Sequence, residues 1–351
     1  MTPASARRRR RPRVPVFDHL DIPVVAAPMA GGGSTPELAA AAAQAGGFGF
    51  LAAGYRDVAA MTEQVRALRA RTSHPFGVNL FVPGPDTADP AAVAGYRDRL
   101  APEAERLGVR LGEPKWDSDA FAAKVAALAA DPVPVVGFTF GCPPRPAVRA
   151  LRRAGSAVLV TVTSADEARA AVEAGADALC VQGAEAGGHQ GSFDDAAERT
   201  APLAEVLAEV RAAVRVPLLA AGGIIDSAGV RAALAAGATA AQVGTVLLRS
   251  RESGASAAHR DALADPARTA TAVTRAFSGR RARGLVNRFL TAHDRAAPAG
   301  YPQVHHLTAP LRAAAARAGD ADTLHLWAGT GFGAARAAPA ADILTGLAAG
   351  V

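Results

Sequence analysis

The chain is poor in the residues that staple, chelate or hydrolyse. Only two cysteines, Cys142 and Cys180, occur in 351 residues, and they do not have metal-ligand spacing. A disulfide framework is excluded, a reducing cytoplasm fits, and both thiols, lying in or beside apolar runs, are expected to be buried and inert. No apolar run reaches the roughly 18 residues that cross a bilayer, so a soluble chain with no membrane partner is expected. The histidines, His305 and His306 included, have no acidic or cysteine companions at ligand spacing, which leaves no metal centre. There is no G-x-S-x-G elbow and no carboxylate pair placed for hydrolysis. Surplus charge is missing too, apart from one place. The net charge is +6, and Arg7, Arg8, Arg9, Arg10, Arg11 and Arg13 supply all of it, leaving 32 basic and 32 acidic residues elsewhere. A basic arm attracts nucleic acid without specificity, but with a neutral body behind it residues 1–20 are expected to be a disordered arm with no nucleic-acid partner. No apolar signal region succeeds the arginines, because Pro12, Pro15, Asp18 and His19 interrupt it.

What the chain does have is a repeated unit. Short apolar runs recur near residues 24–29, 48–52, 77–81, 135–140, 157–162, 178–181, 217–221 and 240–247, and helical segments separate them. Ser34 or Thr35 can cap the first helix, Asp226 or Ser227 the last, and Ser164 with Glu167 has capping-box spacing. At four joints, Ala45-Gly46-Gly47, Ala154-Gly155-Ser156, Ala174-Gly175-Ala176 and Ala236-Gly237-Ala238, a glycine stands where a helix ends in a left-handed residue. Eight strands apolar on both faces imply a parallel sheet, and eight close a (β/α)8 TIM barrel. The expected organisation is a barrel over 21–250, an insertion after the third strand at about 82–134, and a cap of helices and loops over 251–351, with helices at 311–318 and 340–347. An open dinucleotide-binding sheet fits less well. Ala30-Gly31-Gly32-Gly33-Ser34 lacks G-x-G-x-x-G spacing, and Gly329-Thr330-Gly331-Phe332-Gly333 has no βαβ unit around it.

In a closed parallel barrel the residues just after each strand meet at one mouth. This gathers Met29, Asn79, the stretch from Gln182 through Gly187 to His189, Gly222-Gly223 and Gln242-Val243-Gly244-Thr245. Backbone amides at Gly222, Gly223, Gly244 and Thr245, with a hydroxyl and a nearby helix start, suit a phosphate. Gln182 and Gln242 at strand ends could bond the polar edge of a ring, although either one taken alone is more often a glutamine that satisfies backbone groups. His189 is the one side chain of its glycine-rich loop that titrates near neutrality. A phosphate-bearing cofactor that carries electrons fits this mouth better than a side-chain nucleophile.

These blocks, in this order, resemble bacterial nitronate monooxygenases, formerly called 2-nitropropane dioxygenases. The likeness rests on Ala27-Pro28-Met29-Ala30-Gly31-Gly32, Leu51-Ala52-Ala53-Gly54-Tyr55-Arg56, Gly77-Val78-Asn79-Leu80-Phe81, Glu185-Ala186-Gly187-Gly188-His189, Ala220-Ala221-Gly222-Gly223-Ile224 and Gln242-Val243-Gly244-Thr245. It continues through Ser278-Gly279-Arg280, Ala282-Arg283-Gly284 and Leu326-Trp327-Ala328-Gly329. The resemblance implies FMN held by Met29, Asn79, Gln182, Gly187, Gly222, Gly223 and residues 242–245, with His189 facing the substrate. It implies oxidation of an alkyl nitronate, such as propionate 3-nitronate, by dioxygen to a carbonyl compound and nitrite or nitrate. His189 would hold the nitro oxygens as donor or imidazolium, or act as a base on a neutral nitroalkane. Arg280 and Arg283 could add positive potential at the mouth, but surface ion pairs are their expected use. The alternative is a related FMN barrel that uses NAD(P)H to reduce a quinone or an enoyl thioester.

Overall fold

The structure, a computed structural model, describes residues 15–351; the arginines of the arm lie outside the described residues. Strands β1 (Val24–Ala26), β2 (Phe48–Ala52), β3 (Phe76–Phe81), β4 (Val135–Thr139), β5 (Ala157–Val162) and β6 (Ala178–Gln182) precede the two-residue β7 (Gly188–His189). Then come β8 (Leu218–Ala221), β9 (Ala240–Val243), β10 (Thr271–Thr274) and β11 (Ala282–Leu285). β1 to β6, β8 and β9 close a parallel barrel, β9 returning to β1 with Val25 opposite Gln242. A (β/α)8 barrel is thus the architecture.

Local chemistry explains the units. Thr35, Asp57, Ser164 and Asp226 each accept a backbone N–H from the first turn of the helix they cap. Ser34, the other candidate cap, instead accepts from Met29 N at 2.8 Å and so fastens the turn after β1. Gly46, Gly155, Gly175 and Gly237 all have φ between +85° and +108°, the left-handed region where a Cβ is costly. Glu167 does not complete a capping box. Its carboxylate accepts from Thr163 N at 2.6 Å and Phe193 N at 2.9 Å, pinning the chain just beyond His189 to the barrel.

The barrel interior is filled below the mouth by Val25, Phe48, Phe50, Val135, Leu159, Ala178, Cys180, Leu219 and Ala240. Room for Phe50 comes from Gly77, where a Cβ would sit 2.2 Å from the ring. Phe17, in the helical turn Pro15–Asp18, closes the bottom with its ring 5.2 Å from Phe48, so part of the stretch 1–20 packs on the barrel. Among the described residues no helix is long and apolar enough to cross a membrane.

Three expectations fail. The tail is not only helices and loops, since β10 and β11 form an antiparallel hairpin and β11 pairs with β7, placing Ala282 opposite His189 and Arg283 opposite Gly188. The cap helix runs Gln303–Ala318 with Pro310 inside it, not from residue 311. Proline removes a donor and frees a carbonyl one turn back, and Gly112 packs directly on that carbonyl of His306. Cys142 is only half-buried, because it lies in the loop after β4.

Candidate active site

All the residues gathered from the sequence, Met29, Asn79, Gln182, Gly187, His189, Gly222, Gly223, Gln242, Val243, Gly244 and Thr245, line one cavity of about 520 Å³ at the carboxyl ends of the strands. The cap hairpin and the helix Gln303–Ala318 roof it. At the β8 and β9 ends the floor is bare backbone. Gly222 and Gly223 have φ of +116° and +70°, and a Cβ on Gly223 would stand 3.0 Å from Glu185. Thr245 Oγ1 accepts from Gly329 N at 3.0 Å, which leaves its own hydrogen to donate. Gly187 passes so close to the tail that a Cβ there would lie 2.4 Å from Gly329 N.

The polar side chains divide into committed and open ones. Gln182 is committed: it donates to His189 O at 3.3 Å and accepts from Gly191 N at 2.7 Å, which shapes the His189 loop. Gln242 donates to Cys180 Sγ at 3.2 Å, but its Oε1 is buried with no partner. A buried acceptor left alone costs about 1–3 kcal/mol, so this oxygen is open to a donor. Asn79 pairs with the Thr139 hydroxyl through both ends of its amide, at 3.2 and 3.3 Å. Burial pushes the Cys180 thiol up to about 12, so it is a wall and not a nucleophile.

His189 is held from the cap side. Its Nε2 lies 2.8 Å from Ser278 Oγ, while that hydroxyl also reaches Arg280 O at 3.1 Å. Burial, then the charges of Arg280 and Arg312, lower its pKa from 6.5 to about 3. The imidazole is therefore neutral, and the imidazolium role is the one its surroundings oppose. Among the described residues no group of three or more His, Cys, Asp or Glu is arranged to hold a metal ion.

The family model for nitronate monooxygenase matches residues 16–350. The chain belongs to the nitronate monooxygenase family. It is 42% identical to a nitronate monooxygenase of Pseudomonas aeruginosa, over 92% of this chain and 94% of that protein. It is 35% identical to a probable nitronate monooxygenase of Staphylococcus aureus over 93% and 94%. Among solved structures it is similar to the nitroalkane oxidase of Streptomyces ansochromogenes, with 51% identity, a TM-score of 0.92 and 95% and 96% of the two chains covered. It is less similar to FabK from Thermotoga maritima, at 29% identity and a TM-score of 0.74, with 95% and 94% covered.

Nitronate monooxygenases are flavin-dependent oxidoreductases, and the cavity suits such a group: a glycine cradle for phosphate, an orphaned Gln242 oxygen for a ring N–H, and apolar walls for a flat ring. Arg280 and Arg283 do not form surface ion pairs. Arg280 is 7% exposed, donates to Gln190 O and Ser192 O, and lies 4.2 Å over the Phe140 ring. Arg283 donates to Ala184 O and Thr271 Oγ1. The pairing of β11 with β7 lays this segment on the barrel, with Arg280 buried and Arg283 half-buried. Sequence reasoning missed Arg312, which lines the cavity and donates to Thr308 Oγ1 at 3.0 Å and to His305 Nδ1 at 3.1 Å, with no carboxylate partner among the described residues. Burial holds its pKa down at about 10, still charged at neutral pH. Its sole sequence signal is the spacing of His305, Ala309, Arg312, Ala313 and Ala316 along one helix face. Gly329 and Gly331, set aside for want of a βαβ unit, also line the cavity.

Proposed function

We propose that this chain oxidises alkyl nitronates with dioxygen to a carbonyl compound and nitrite or nitrate, using FMN held across the barrel mouth. Gly222, Gly223, Gly244 and Thr245 would hold the phosphate, and Gln242, Asn79, Val243 and Met29 would flank the ring. FMN, when bound, supplies the redox chemistry, accepting electrons from the substrate and passing them to dioxygen.

The observation that carries the reading is a neutral imidazole fixed over a glycine-lined cavity that also holds a cation with no counter-ion among the described residues. A nitronate is an anion. Arg312, with Arg280 behind Phe140, supplies the positive potential that attracts it into a low-dielectric space. His189 then faces the reacting carbon and nitro group. With the Ser278 hydrogen donated to Arg280 O, His189 donates Nε2–H to Ser278 and carries its lone pair on Nδ1. That tautomer can take the α-proton of a neutral nitroalkane, or yield the anion's place to a preformed nitronate. The aromatic and apolar walls, Tyr55, Phe81, Phe140 and Trp327 among them, exclude water.

Oxygen uptake and nitrite formation with propyl-1-nitronate test the reading, beside anaerobic mixing with NADH. Turnover of the nitronate without NADH is expected. Rapid bleaching of the flavin by NADH, with no nitronate turnover, would favour the reductase of a quinone or enoyl thioester.

A further inference from the structure

Among the described residues four that are not glycine have positive φ: Tyr55 (65°), Asp119 (51°), Ala120 (52°) and Phe140 (78°). Each such backbone costs of order 1–3 kcal/mol and persists only where its surroundings over-determine it. All four belong to one side of the cavity. Tyr55 and Phe140 line it and meet across Phe81, at centroid distances of 5.2 and 4.4 Å. Asp119 and Ala120 stand behind them, in the turn that leads into the helix Phe121–Ala130.

The backing is built as a clamp. Asp119 Oδ1 accepts from Tyr55 N at 3.0 Å, and its Oδ2 lies 2.7 Å from Nζ of Lys124. Lys124 is wholly buried and donates to Ala53 O at 2.9 Å. Donor and acceptor thus grip the chain on either side of Gly54, where a Cβ would stand 2.2 Å from the Phe81 ring. In front, the Tyr55 ring lies flat on His305, 3.9 Å away and 8° from parallel, and its hydroxyl is 3.4 Å from that of Tyr301. Tyr301 in turn is 5.9 Å from the His189 ring.

We propose that Asp119 and Lys124 are positioning residues for Tyr55, holding it in its left-handed conformation so that its ring and hydroxyl form the substrate wall on the His189 side of the cavity. This rests on a nitronate occupying that cavity. Stability alone does not account for the pair, because a buried ion pair is often no better than apolar residues of the same volume. What the two charges add is direction: they hook a carbonyl and an amide two residues apart, and so fix the peptide between them. Asp117 extends the brace to the cap, accepting from Asp119 N at 2.9 Å and lying 2.8 Å from His306.

The test is a double-mutant cycle on the flavin-loaded enzyme, with Asp119→Ala in the native and the Tyr55→Ala backgrounds. Asp119→Ala is expected to raise KM for propyl-1-nitronate about tenfold, with flavin content unchanged, and to change it less than about twofold once Tyr55 is gone. Equal losses in both backgrounds, or no change of KM in the first, would overturn the proposal. Should Asp119→Ala fail to fold, Asp119→Leu with Lys124→Met removes both charges together and enters the same cycle. A crystal structure of the variant reads the clamp without turnover. The Tyr55 ring is expected off His305; a ring left in place overturns the clamp even if the wild-type enzyme oxidises nitronates. A wild type that oxidises none, with the ring displaced in the variant, sinks the proposed reaction and leaves the clamp standing.

Discussion

Ser278 Oγ stands 2.8 Å from Nε2 of His189 and 3.1 Å from the carbonyl of Arg280, with a single hydrogen to give. The serine therefore decides which imidazole nitrogen keeps the lone pair. If His189 is the base that ionises neutral nitroalkanes, His189→Ala should lower kcat/KM for 1-nitropropane by about 10²–10⁴, and for its nitronate by much less. Ser278→Ala should show the same bias with a smaller loss. Equal losses on both substrates would remove the base role.

Arg312 offers the cavity a charge that no carboxylate of the described chain meets. Arg312→Met should raise KM for a nitronate anion about tenfold, worth about 1.4 kcal/mol, and leave KM for the neutral nitroalkane nearly unchanged. Steady-state kinetics with the two forms of one substrate decide this.

The cradle at the β8 end depends on bare backbone. Gly223→Val places a branched side chain against Glu185 at a φ of +70°, and should cut FMN retention by at least about tenfold while the barrel still folds. Flavin absorbance per chain after gel filtration, with the far-ultraviolet circular dichroism, separates the two effects.

Acid should destabilise the fold before the carboxylates titrate. Burial lowers His189 to about 3 and His259 to about 4, and lowers His293, His305 and His325 as well. Each native value lies below the unfolded one near 6.5, so the unfolded chain binds more protons as pH falls. Their stability contribution is complete above about 6.5 and is lost on the way down, at about 2 kcal/mol by pH 5 for a histidine whose native value is below 5. Glu103, held at about 2 by Arg288 and His293, adds its own loss only below about 4.5. The thermal midpoint should therefore be lower at pH 5 than at pH 7.5; a flat profile would contradict the buried neutral imidazoles.

Much of this site was legible in the chain because a barrel brings the carboxyl end of every strand to the same rim, so position along the sequence becomes position in space. Met29 and Thr245 could be assigned to one rim without any contact information, and Gly46, Gly155, Gly175 and Gly237 marked the joints through their local φ requirement alone. The failures at the site are mainly long-range. The run from Ser278 to Gly284 reads as a charged surface loop, and only pairing with a two-residue strand nearly a hundred positions earlier turns Arg280 inward. Tyr55 owes its conformation to Asp119, and Arg312 its importance to a helix that continues through Pro310. The Asp119 contact leaves no periodic trace, and the helical spacing around Arg312 shows a face without showing what that face meets.

The central claim is that turns from distant strands share one flavin beneath His189, and the purified protein tests it directly. Denaturation of the purified, flavin-loaded protein should release FMN, about one per chain, identified by its chromatographic retention and fluorescence. A colourless protein that takes up no added FMN would contradict it.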